Sequence, residues 1–242
     1  MRSLFFLGCC LLIVFAACGS KTEVAEIKKP VLPPATDTPP ATYLTYLALG
    51  DSYTIGQSVE PYQNFPNQLV NQLKEDNFSV NGKIIAQTGW TTTNLIEAIK
   101  AETLAPKYDF VTLLIGVNNQ YQRGDIDTYR KEFIELLQTS IKYAGGNVKR
   151  LFVLSIPDYS VTPFAGNDPK TVLRISTEID AYNQINKEEA AKVGANYLDI
   201  TPISKKAKDD RSLLAVDGLH PSATMYQAWV SLLKPMVLKT LK

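Results

Sequence analysis

The chain contains one histidine, His220, and an aspartate, Asp217, stands three residues before it. An imidazole is the side chain whose ordinary pKa suits it to take a hydroxyl proton and return it to a leaving group near neutral pH. A carboxylate on the same loop can accept from the ring Nδ1–H, which would fix the tautomer and stabilise the imidazolium that forms. Gly218 permits a tight turn between the two, and Pro221 can start the next helix. The matching nucleophile is Ser52, which follows an apolar run and Gly50, where the backbone must turn sharply. Placed at a helix N-terminus, its amide would face an anion. Taken singly, these residues have plainer readings: Asp217 as a cap of the last helix, Asp51 and Ser52 as N-caps. The Gly-x-Ser-x-Gly elbow used on other α/β sheets is absent from the sequence.

Acyl transfer also needs donors for a developing oxyanion. Three candidates follow proposed strands: the amide of Ser52, the amide of Gly89, and the side-chain NH₂ of Asn118. Gly89 has no Cβ, so its N–H is expected to approach an oxygen closely. In isolation a turn glycine and a turn asparagine are the simpler readings of the last two.

Together the blocks Gly50-Asp51-Ser52-Tyr53, Gly89, Gly116-x-Asn118-Asn119 and Asp217-x-x-His220 make the sequence resemble the SGNH hydrolases, also called GDSL-type esterases and lipases. The resemblance spans about residues 46–222, in the family's order. It implies a flavodoxin-like α/β/α fold, no cofactor or metal, and ester hydrolysis through an acyl-serine. It also implies Ser52 as nucleophile, His220 as base, Asp217 as orienting acid, and Ser52, Gly89 and Asn118 as the oxyanion hole. Two positions depart from the common pattern: Tyr53 stands where leucine is frequent, and Asn119 where aspartate is. Both leave the catalytic groups intact and bear on subfamily.

Residues flanking these blocks are candidates for substrate contact: Asp51, Tyr53, Trp90 and Asn119, with Tyr159 from the broken stretch Pro157–Phe164. A packed turn aromatic is the plainer reading of Trp90. A lone histidine argues against a zinc site, and neither common phosphate-binding glycine loop occurs.

Apolar runs at 43–49, 83–87, 108–115, 147–155 and 195–200 read as strands. Between them, helical spacing marks segments around 65–73, 95–99, 126–143, 168–193 and 221–241. Strands alternating with helices of this length predict βαβ units in a three-layer α/β/α domain with a mostly parallel five-stranded sheet. In such sheets sites form beyond the carboxyl ends of the strands. Every chemistry-bearing block above lies just after a strand or near the C-terminus.

Residues 1–17 carry Arg2, an apolar run of about 14 residues and small residues before Cys18, the pattern of a secretory signal. Phe15-Ala16-Ala17-Cys18 resembles a bacterial lipobox, so Cys18 is the expected lipidation site and 18–42 a proline-rich tether to a domain over 43–242. The other two cysteines, Cys9 and Cys10, fall within the signal, so the mature domain has no thiol for a disulfide. Export to the cell envelope is expected, with the lipid as the only membrane contact. The 25 Lys and Arg against 24 Asp and Glu give no electrostatic reason to bind nucleic acid. The expected partner is a small-molecule or glycan ester, with short acyl groups favoured because no long apolar insertion suggests a lid. The alternatives are a lysophospholipase or thioesterase specificity, or a non-catalytic carbohydrate-binding lipoprotein on the same fold.

Overall fold

Five strands form one sheet: β1 (Thr42–Gly50), β2 (Phe78–Ala86), β3 (Phe110–Leu114), β4 (Leu151–Leu154) and β5 (Asn196–Leu198). The computed structural model of the protein describes residues 41–241. The expected signal, Cys18 and the tether up to residue 40 lie outside the described residues. All pairings are parallel, in the order β2-β1-β3-β4-β5. This is the flavodoxin-like order, whose topological switch point falls between β1 and β3.

The helices are α1 (Ser52–Ile55), α2 (Phe65–Lys74), α3 (Thr92–Ala101), α4 (Val117–Tyr121), α5 (Ile126–Tyr143), α6 (Pro169–Val193), α7 (Thr201–Lys205) and α8 (Ala223–Leu241). One set packs α2 against α8, the other α3 against α5 and α5 against α6, giving a layer on each side of the sheet. Phe65 of α2 meets Trp229 of α8 with ring centroids 6.2 Å apart, and both are fully buried. Among the described residues no helix is long and apolar enough to cross a membrane.

β3 is buried at all five positions, as a strand between two helix layers should be, and its one polar residue, Thr112, is paired with the Tyr46 hydroxyl at 2.7 Å. β2 instead starts at Phe78, five residues before the expected Lys83. It is an edge strand whose middle, Asn81–Lys83, is exposed, so apolar content could not signal it. β4 starts at Leu151 rather than Asn147, because the Asn147 side chain accepts from the Lys149 N–H and caps a 3₁₀ turn, Val148–Arg150.

Register sets the site. Gly50 at the end of β1 is level with Ala86 of β2 and Leu114 of β3. The residues that follow each of these three ends therefore leave the sheet together at one edge.

Candidate active site

The turn after β1 is closed so tightly that only glycine fits at position 50. A Cβ there would lie 2.5 Å from the Leu114 carbonyl oxygen and against the Thr54 hydroxyl. Asp51 then caps α1 by accepting from the Tyr53 N–H at 3.0 Å, which makes Ser52 the first helical residue. The second Asp51 oxygen is buried without a partner, and burial pushes this carboxyl up to about 7.

Asp217 and His220 occupy a loop drawn closed by an antiparallel bridge between Leu214 and Pro221 and by the Ala215 N–H donating to the His220 carbonyl at 2.7 Å. Asp217 Oδ1 accepts from the amides of Leu219 and His220 at 2.9 and 3.0 Å. Oδ2 lies 2.7 Å from His220 Nδ1 and accepts from the Ser58 hydroxyl at 2.6 Å. Burial alone would raise this carboxyl, but the Ser58 hydroxyl, the ring and the two amides outweigh it and hold it at about 2. An ionised carboxylate can only accept, so Nδ1 carries a proton and donates it to Asp217, which leaves Nε2 as the ring nitrogen turned away from that bond. Among the described residues the ring has no other hydrogen bond; the tilted Tyr53 ring packs beside it at 5.5 Å.

Ser52 and His220 line the same pocket, about 130 Å³ in volume, together with Gly89 and Asn118. Gly89 has φ +85°, and a Cβ there would meet nothing within 4 Å. The glycine therefore serves the left-handed turn, and the space beside it is that of the pocket it lines. The turn is pinned by the Gln122 amide donating to the Gly89 carbonyl at 3.3 Å and by Thr88 donating to Gln57 at 2.6 Å. Asn118 sits on α4, just past Gly116, and its NH₂ donates to the Trp90 carbonyl at 2.9 Å. That bond uses one of its two N–H groups.

Three of the expected substrate contacts do not line this pocket. Asp51 is fully buried beneath the turn. Asn119 exchanges hydrogen bonds with Thr92, accepting from its N–H at 3.0 Å and donating to its hydroxyl at 2.7 Å, so it fastens α4 to the start of α3. Trp90 packs its half-buried ring on the core and contributes its carbonyl to Asn118. Tyr53 and Tyr159 do line it, and Tyr159 is braced by donating to Gln120 at 2.9 Å.

Sequence reasoning did not single out Tyr121, Ser58, Val117 or Leu219. Tyr121 lies three residues after Asn118 on α4, the spacing that brings two side chains to one helix face. With Phe164 and Tyr159 it forms a ring cluster at the pocket wall, centroids 5.8–6.4 Å apart. Tyr121 and Phe164 are 55% and 49% exposed.

Residues 48–228 match the model of the GDSL-like Lipase/Acylhydrolase family. No curated protein matches the chain. Among solved structures, a lipase/acylhydrolase from Enterococcus faecalis is similar at 20% identity and a TM-score of 0.62, covering 80% of this chain and 95% of that one. An acetylxylan esterase from Geobacillus stearothermophilus is similar at 18% identity and 0.59, covering 83% and 94%. A psychrotrophic esterase from Pseudoalteromonas sp., inhibited by monoethylphosphonate, is similar at 12% identity and 0.61, covering 81% and 98%. At these identities the three share the fold. The family match takes in the whole stretch from the serine turn to the histidine loop, and the chain belongs to the GDSL-like lipase/acylhydrolase family, hydrolases that act on ester bonds.

Proposed function

We propose that Ser52 is the nucleophile of a carboxylester hydrolase, with His220 as its base and Asp217 as the orienting acid. The observation that carries this is the shared pocket: a serine on a helix-start turn lines it together with an imidazole whose Nδ1 is clamped by an ionised carboxylate. Ser52 Oγ attacks the ester carbonyl carbon as His220 Nε2 takes the hydroxyl proton. The oxyanion accepts from the amides of Ser52 and Gly89 and the unspent N–H of Asn118. Collapse breaks the bond to the alcohol, which leaves with the proton from His220. Water, deprotonated by the same ring, then releases the acid and restores Ser52. Ser52→Ala is expected to abolish hydrolysis of p-nitrophenyl acetate and labelling by a fluorophosphonate. Wild-type turnover in that variant would refute the assignment. A folded wild-type protein that neither labels nor turns over would favour the non-catalytic binder.

The acyl group is short and the alcohol a sugar. Support comes from the small volume of the pocket and from the half-exposed rings of Tyr121 and Phe164 in its wall, a residue type that suits the flat face of a pyranose. The fold is shared with an acetylxylan esterase. Rates should fall from acetyl to octanoyl esters, and Tyr121→Ala with Phe164→Ala should raise KM for acetylated xylo-oligosaccharides about tenfold while sparing ethyl acetate. A rate rising to octanoyl would reverse the acyl assignment.

The lipobox around Cys18 supports an exported lipoprotein held at the envelope by its acyl chains. Metabolic labelling with an alkynyl fatty acid should mark the wild type and miss Cys18→Ala.

A further inference from the structure

Ser58 holds φ +65°, a left-handed conformation that few non-glycine residues adopt. Such a backbone persists only where its surroundings over-determine it, and functional sites are where it clusters. The surroundings here are specific. The amides of Gly56 and Gln57 both donate to the Ser52 carbonyl at 3.0 Å, so the segment before Ser58 is folded back onto the nucleophile's own turn. Asn64, buried at the start of α2, donates to the Ile55 carbonyl at 3.0 Å and fills the space beside Gly56, where a Cβ would lie 2.5 Å from its own. From this braced position the Ser58 hydroxyl reaches across 159 residues of sequence to Asp217 Oδ2. That is the same oxygen that faces His220 Nδ1.

We infer that Ser58 is a positioning residue of the hydrolytic site, locking the Asp217 carboxylate, and through it the His220 ring, to the segment that carries Ser52. The inference rests on the reading of Asp217 as orienting acid. Nucleophile and base lie at opposite ends of the domain's sequence, and their separation must hold to a fraction of an ångström for the proton to transfer. The Asp217 amide contacts are all internal to its own loop. They orient the carboxylate within the loop but do not tie the loop to the serine turn. The Ser58 bond does. It also occupies the side of Oδ2 that the half-exposed carboxylate would otherwise offer to water, and so keeps the group from rotating away from the ring.

The test compares Ser58→Ala, Ser58→Gly, Asp217→Asn and the Ser58→Ala/Asp217→Asn double variant with p-nitrophenyl acetate. Glycine matters because it removes the hydroxyl while relieving the left-handed strain, so it separates positioning from folding. Losing one hydrogen bond to a charged group predicts kcat about tenfold lower in both single Ser58 variants, with KM within about twofold. The glycine variant should melt within a few degrees of wild type. In the Asp217→Asn background, removing the hydroxyl should cost less than about twofold, because the group it steadies is gone. A wild-type kcat in Ser58→Gly overturns the inference, as does a full tenfold loss in the Asp217→Asn background, which would mean a structural role. If Asp217→Asn itself keeps the wild-type rate, the relay reading fails and takes this one with it. A slow Asp217→Asn beside a fast Ser58→Gly removes Ser58 alone.

Discussion

The side-chain amide of Asn118 donates to the main-chain carbonyl of Trp90, and this bond ties the turn after β3 to the turn after β2. Two of the three proposed oxyanion donors are thereby held in one frame, since Gly89 is the residue before Trp90. Asn118→Ala removes both a donor and the tie, and kcat is expected to fall by about 10²–10³ with little change in KM. Trp90→Phe keeps the carbonyl and should stay within about threefold of wild type. Steady-state kinetics on the two variants check this; a tryptophan defect as large as the asparagine one would place the indole against substrate.

Asp217→Asn keeps the shape of the orienting group and removes its charge. The wild-type carboxyl is held at about 2, so it is ionised throughout the pH range in which the domain would work. An amide in its place presents N–H where Ser58 or the ring must donate, which favours the wrong tautomer of His220. Turnover should drop by about 10²–10⁴, and raising the pH should not restore it. Recovery at high pH would show that the carboxylate serves only to hold a proton balance.

What the sequence made legible follows from how uniquely each residue type serves its task. His220 is the only imidazole, and β3 is apolar at four of its five positions because both its faces are covered, with Thr112 paired to the Tyr46 hydroxyl. Asn119 misled for a geometric reason. Adjacent residues on a helix point about 100° apart, so if Asn118 turns to the pocket its neighbour turns elsewhere, and here it meets α3. That α4 is a helix at all, five residues long between a strand and a loop, is set by tertiary packing and lies below what periodicity can detect. Tyr121 was hidden with it. Ser58 is an ordinary serine whose meaning lies in a backbone angle and a partner 159 residues away. Trp90 acts through its carbonyl, which every residue has.

Two glycines of the site should respond differently to alanine. At Gly89 the added methyl meets open space, so the cost is the left-handed backbone alone, about 1 kcal/mol. At Gly116 φ is +128°, and the methyl would lie 2.6 Å from Tyr129 Oη and 2.7 Å from Ile156 Cδ1, both in the packed core. Overpacking and strain act together there, and a loss of roughly 3 kcal/mol or more is expected. Urea unfolding of the two variants measures the contrast. Equal losses would mean that backbone conformation, and not crowding, governs the turn after β3.

Asp51 links the serine turn to pH through stability. Its carboxyl stands at about 7 in the folded protein, raised from an ordinary 3.8 by burial that the Tyr53 amide only partly offsets. Between about pH 4 and 7 the unfolded chain has released this proton while the folded one keeps it. The folded state therefore binds more protons, and stability must fall as pH rises through that window. Above it the domain carries a buried carboxylate with one oxygen bonded to the Tyr53 N–H and the other unpartnered. Asparagine keeps the acceptor that caps α1 and cannot ionise. Asp51→Asn should melt roughly 5 °C above wild type at pH 8, and the gap should close toward pH 4, where the wild-type group is neutral as well. Thermal melts across that range decide it: a gap that stays constant with pH would mean that Asp51 does not titrate within the fold.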